Sequence, residues 1–274
     1  MNKEVLQEKI EAEKELSFEH IMSESGTLFT KVWGQALLSS LLISVVSAGM
    51  AILCFIPYMI TLLSLGISSK FIDLHSSNDD RFEIFSIIFS GIFSVLAAAV
   101  FIAISAAFIR ICKMKDHNRQ GYHDFFFFFK KTYYSKLLLL GAIAMAISIP
   151  SAYYLSYIPL VYLIVPIFYG ITIFTFNYEL NVKDIISLGF KLGTEKWLIS
   201  LGFLFIVSFF SVVVGMLLCG FGFIATMTFV HIPLYVIYKN IVGFDDEKPV
   251  DAYQEKTDLI IQKINELNIN DQKK

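Results

Sequence analysis

Between Ala36 and Ile67 the chain runs for 32 residues without a charge. About 20 apolar residues suffice to cross the hydrocarbon core of a bilayer, so a run of this length belongs in a membrane. The pattern recurs from Ile84 to Ile109, from Leu137 to Leu180 with Glu179 as its only charge, and from Trp197 to Tyr238. Backbone N–H and C=O groups in lipid have no water to bond, which leaves helices as the form such segments take. The expected fold class is therefore all-α, a polytopic membrane protein. Composition agrees, with charged residues at 17% and a mean hydropathy of +0.65, against roughly 25% charged in soluble domains.

The longer runs must be divided. Pro57 is expected to kink or end the first helix. Pro150 and Pro159 flank the aromatic turn SAYYLSYI and split the third run into spans at about 137–155 and 158–178. The fourth run divides near Leu218 to Gly222. This yields six transmembrane helices arranged as three hairpins. Residues 1–20 form a charged cytoplasmic N-terminal helix carrying a thin stripe of Val5, Leu6 and Ile10. Residues 21–242 are the transmembrane domain. Residues 243–274 form a cytoplasmic tail with a short helix bearing Ile260, Ile264 and Leu267.

A polar and aromatic segment precedes each hairpin and reads as a cytoplasmic interfacial amphipathic helix. The middle copy is GYHDFFFFFKKTYYSK, Gly121 to Lys136. Rings sit at headgroup depth while lysine stems reach toward water, so this composition suits a bilayer interface. Phe125, Phe126, Phe127, Phe128 and Phe129, with Lys130 and Lys131, are candidate contacts for lipid or a partner. Glu24, Phe29, Lys31 and Trp33 are matched in order by Asp124, Phe129, Lys131 and Tyr133, and more loosely by Asp184, Phe190, Lys191 and Trp197. An internal threefold repeat accounts for this order. So does the general tendency of helices to carry aromatics and lysines where they enter a membrane.

Basic residues set orientation. Of the 22 Lys and Arg, only Lys70 and Arg81 fall on the side away from the termini. The positive-inside rule then places both termini in the cytoplasm. The first 20 residues are charged and lack the apolar core of a signal peptide. The cysteines Cys54, Cys112 and Cys219 form no CxxC pair and suggest no disulfide framework or zinc site.

The stretches GYHDFFFFFKKTYYSKLLLL (Gly121 to Leu140) and VKDIISLGFKLGTEKWLISLG (Val182 to Gly202) carry a family likeness. The chain resembles a poorly characterised superfamily of six-helix bacterial membrane proteins, which includes the membrane domain attached to some glycerophosphodiester phosphodiesterases. The resemblance spans about residues 20–242 and implies the fold. It implies no phosphodiesterase activity, because that domain is not part of this sequence.

Ionisable side chains at membrane depth are the usual pointers to function. His231, beside Pro233, is the single candidate here. It is either a structural histidine bonded to a carbonyl that the proline frees, or a proton relay or ligand. Ser90 and Ser94 extend this candidate polar site. They also belong to the stripe Ser86, Ser90, Ser94, Ala98, which has a counterpart in Ser40, Ser44, Ala48; small residues four apart let helix backbones pack closely. His117, His123, Asp116 and Asp124 read as solvated loop residues or, less simply, as a metal cluster. No HExxH motif occurs, and no catalytic, cofactor or metal residue is assigned. With a net charge of −2, no nucleic-acid partner is expected. The expected role is that of a non-enzymatic inner-membrane protein of structural, membrane-homeostasis or complex-subunit type. It would contact membrane lipids, and its terminal helices could pair with each other or with a protein partner. The alternatives are a small-molecule or lipid transporter and, third, a lipid-modifying enzyme.

Overall fold

A computed structural model describes residues 2–12, 15–68, 79–117, 124–154, 158–218, 222 and 226–244. Every regular element among them is helical: α1 (Lys3–Glu11), α2 (Phe18–Ser68), α3 (Asp79–Asp116), a short 3-10 turn (Phe127–Phe129), α4 (Lys131–Tyr154), α5 (Ile158–Phe176), α6 (Val182–Glu195), α7 (Trp197–Leu217) and α8 (His231–Ile241). The chain divides after Val242. Gly243 has φ 68°, the left-handed conformation in which a glycine ends a helix without a Cβ penalty. The expected tail helix with Ile260, Ile264 and Leu267 lies outside the described residues, as do residues 69–78.

Among the described residues, four segments are long and apolar enough to cross a membrane: Phe18–Ile56, Ile87–Asp116, Pro159–Phe176 and Trp197–Leu217. Their outward faces are apolar too. Val45, Phe205 and Leu198 are 70%, 73% and 78% exposed, a surface that water would not tolerate over so many neighbours. The number of separate helices differs from expectation at two places. The first interfacial segment is no separate helix, because α2 is continuous for 51 residues from Phe18. It also runs through Pro57, which therefore does not end it. At the C-terminal end α8 has 11 residues, about 16 Å, short of the roughly 20 residues that a crossing needs.

Close backbone approach organises the packing. α2 and α3 lie antiparallel, with the Cys54 thiol donating to the Ser90 carbonyl at 3.9 Å. A Cβ at Gly141 of α4 would sit 3.0 Å from the backbone of Val95 and Ala99, so α4 lies directly on α3. The tightest contact is between α5 and α6. A Cβ at Gly189 would fall 2.9 Å from the Gly170 backbone, and one at Gly193 would fall 2.6 Å from Pro166 Cα. Four residues separate these glycines on α6 and also their partners on α5, and the two helices run antiparallel.

α6 therefore presents one face to α5, and α1 covers part of the rest. Leu6 and Ile10 of α1 are fully buried, while Val5 is 41% exposed. Ion pairs hold both ends of α1, Lys3–Asp184 at 2.7 Å and Glu11–Lys191. α8 sits at the centre, buried at every position from His231 to Tyr238. A helix that is apolar all round packs in this way.

Candidate functional site

The phenylalanine stretch does not form an α-helix. Asp124 Oδ1 accepts the Phe126 N–H at 2.9 Å, an Asx turn that competes with helical bonding. Phe127–Phe129 then makes one 3-10 turn, Lys130 is extended (φ −65°, ψ 145°), and α4 starts at Lys131. Side chains three apart eclipse in a 3-10 turn, and this decides which rings face inward. Phe125 and Phe128 are buried, whereas Phe126 and Phe129 are 62% and 38% exposed. Phe128 packs on Phe174 and Tyr133. Phe127 carries the Arg110 guanidinium 3.9 Å from its ring centroid and the Lys130 ammonium 4.8 Å from it, cation–π contacts worth about 0.5–2 kcal/mol each depending on desolvation. Lys131 is exposed.

His231 is 2% exposed and packs among the rings of Phe101, Phe108 and Phe168, the last at 5.0 Å between centroids. The bond expected of it at Pro233 is not made by Nδ1, which has no partner. Pro233 frees the carbonyl of Phe229, and this accepts the Ile232 N–H at 3.1 Å instead. Ser90 donates to Ile87 of its own helix. Ser90 and Ser94 lie 11 and 7 residues before Phe101 on α3, roughly 16 and 10 Å along the axis. The structure does not bring them to His231. The other small-residue stripe does make a contact outside its own helix, for Ser40 of α2 is buried and its hydroxyl lies 2.6 Å from that of Thr228 in the turn before α8.

A polar cluster that no local sequence pattern marks joins three helices at one level. Lys239 of α8 donates to Glu24 of α2 at 2.5 Å and to Asp116 of α3 at 2.6 Å. The Tyr235 hydroxyl donates to Asp116 at 3.0 Å, and Asn240 Nδ2 donates to Glu24 at 2.9 Å. Asp116 is thus engaged in holding helices together, and His117 Nδ1 lies 3.0 Å from the carbonyl of Lys113 in its own helix. His123 falls outside the described residues. Among the described residues no group of three or more His, Cys, Asp and Glu gathers as metal ligands do.

Two further side chains complete this polar end. Lys136 Nζ donates to the carbonyls of Tyr178, Glu179 and Leu180 at 2.7, 3.3 and 2.9 Å. It ties the start of α4 to the turn between α5 and α6. Asn177 Nδ2 donates to the Tyr238 hydroxyl at 3.1 Å. At the other end of α5, Pro166 has no N–H for the carbonyl of Tyr162. The Trp197 indole supplies it at 3.3 Å, and the Tyr162 hydroxyl meets the Thr194 hydroxyl at 2.7 Å. Tyr169 and Ser200 are bonded in the same way at 2.6 Å.

Between α3, α4, α5 and α6 an apolar groove opens to the outside. Ile102, Ile143, Ile147, Gly170 and Phe190 are among its walls. A Cβ placed on Gly170 meets no atom within 4 Å, so this glycine leaves space in the groove while its backbone touches Gly189.

The class of protein follows from these features: among the described residues every regular element is helical, and four helices are long and apolar enough to cross a membrane. No family model matches the chain, and neither a curated protein nor a solved structure matches it.

Proposed function

We propose that this protein is a non-enzymatic, multi-pass component of the bacterial inner membrane with a structural role, holding lipid or a partner subunit at the cytoplasmic face. The observation that carries this reading is how its membrane-proximal charges are used. Glu24, Asp116 and Lys239 bind one another, and Lys136 caps backbone carbonyls. These groups spend their charge on joining helix ends. The ends that meet are the start of α2, the end of α3, the start of α4, the end of α5 and the end of α8. Such convergence supports a hairpin arrangement with the basic ends on the cytoplasmic side. In the six-span form of this reading, α4 is a further crossing, and the segment leading into α8 completes the last hairpin. The Gly121–Leu140 and Val182–Gly202 stretches support a place in the six-helix superfamily they resemble.

The exposed Phe126, Phe129, Lys130 and Lys131 are the lipid-facing part of the phenylalanine stretch in this account. α1 is already seated on α6, so a protein partner is received by the C-terminal tail or by displacing α1. A transporter is the second reading, favoured by the unpartnered Nδ1 of buried His231. Purification in a mild detergent separates the two. Co-isolation of a lipid or a partner protein supports the structural role, whereas a monodisperse protein carrying neither, yet moving a solute across liposome membranes, overturns it.

A further inference from the structure

We infer that the groove between α3, α4, α5 and α6 holds one acyl chain of an anionic phospholipid, with the phosphate over Lys136 and Lys183. The inference rests on the membrane reading above and adds a site and a ligand class to it. The groove wall is built of Ile102, Ile143, Ile147, Ile171 and similar side chains, with bare backbone at Gly170. An apolar slot open to the outside of a membrane helix bundle takes hydrocarbon, since water entering it would lose hydrogen bonds.

One rim of this slot is basic. Leu140, Ile143 and Ile147 line it from α4, and Lys136 stands one turn before Leu140 on the same face. Ile186 and Phe190 line it from α6, and the exposed Lys183 stands three residues before Ile186. The carbonyls of Tyr178, Glu179 and Leu180 take all three Lys136 N–H donors, so Lys136 adds only positive charge to this rim, and the exposed Lys183 is the donor offered to a phosphate. Asp184 is taken by Lys3. Lys3, Lys136 and Lys183 thus outnumber Glu179 and Asp184 at this rim, which favours a phosphate. From Lys136 to Ile147 is 11 residues, about 16 Å, a length suited to a chain lying along the groove rather than to a small solute.

The test uses the full chain in nanodiscs of phosphatidylcholine containing phosphatidylglycerol with a photoactivatable acyl chain. Bound lipid is read by native mass spectrometry, and crosslinks are mapped by peptide. Phosphatidylglycerol should be retained in preference to phosphatidylcholine, with crosslinks on the peptides of Ile143–Ile147 and Ile167–Ile171. Gly170→Leu fills the groove and should lower retention about tenfold or more. Lys183→Gln should leave a bound chain but reduce the headgroup preference by roughly threefold or more. Crosslinks spread evenly over the exposed faces of α2 and α7, wild-type retention in a folded Gly170→Leu protein, or equal retention of the two headgroups each overturn the inference. Should Gly170→Leu not fold, the wild-type crosslink map decides alone. A protein that enters nanodiscs without retaining phosphatidylglycerol sinks only this inference; one that does not enter them sinks the membrane reading as well.

Discussion

Replacing Gly193 by alanine adds a single carbon where the structure has no room for it. That carbon would lie 2.6 Å from Pro166 Cα, 2.8 Å from Pro166 N and 2.9 Å from Pro166 Cγ. Carbon atoms prefer about 3.5–4.0 Å, so α6 would have to retreat from α5 by about 1 Å. None of the contacting atoms is the end of a flexible side chain, and the proline ring cannot rotate away. Overpacking of this kind costs about 1–3 kcal/mol or more, while glycine to alanine in a helix interior returns up to about 1 kcal/mol. The net expectation is a loss of about 1–2 kcal/mol, together with weakening of the Tyr162–Thr194 and Trp197–Tyr162 bonds that lie beside it. Gly202→Ala in α7 is the control, because a Cβ there meets nothing within 4 Å; it should be neutral or slightly stabilising. Denaturant unfolding in detergent micelles, followed by circular dichroism, measures both. A Gly193→Ala protein as stable as the Gly202→Ala control refutes the close approach of α6 to α5.

The attachment of α1 should be sensitive to acid. The Lys191 ammonium bonded to Glu11 holds that carboxyl below its usual value of 4.5, and Lys3 does the same for Asp184 relative to 3.8. Groups shifted downward stabilise the docked state fully above those usual values and lose the contribution as pH falls through the lower folded ones. Protection of the amides of residues 3–11, taken relative to their intrinsic exchange rates at each pH, should therefore fall below about pH 4, and Glu11→Gln should lower it at neutral pH; protection independent of both would show that Leu6 and Ile10 suffice. At the polar cluster, Lys239→Met leaves Glu24 and Asp116 facing each other with side chains only 20% and 16% exposed. A loss of about 2–3 kcal/mol is expected, and Asp116→Asn made in that background should cost much less than alone. Additive losses in this double-mutant cycle would mean that the pair is not coupled.

Much of the architecture is readable from the residues. Long uncharged runs in a chain of this composition leave helices as the outcome, and Leu6 with Ile10 marks the buried side of α1. The phenylalanine stretch reads wrongly as a helix because composition alone does not register the Asp124 turn, which converts it to a 3-10 turn and sorts the rings by threes. The α5–α6 contact leaves a signal in the letters, Gly189 and Gly193 four apart, but its partner Pro166 is 23 residues upstream of Gly189 and is named by no local pattern. The Glu24–Asp116–Lys239 cluster joins positions up to 215 residues apart. Pairings of that kind depend on how helices assemble, which periodicity does not encode. His231 shows the same limit: its burial follows from the apolar surroundings, whereas its unpartnered Nδ1 follows from which carbonyl Pro233 frees and which N–H reaches it first.

The central claim is that the chain crosses the inner membrane with its converging helix ends in the cytoplasm. Single cysteines placed at His117, Lys131 and Asn240, and at Ser76 between α2 and α3 in the sequence, test it in a protein whose native cysteines are replaced by alanine. A membrane-impermeant thiol reagent applied to spheroplasts should label Ser76→Cys and leave the other three unlabelled until the membrane is permeabilised. Labelling of His117→Cys, Lys131→Cys or Asn240→Cys from outside, or recovery of the protein in the soluble fraction, would contradict the account.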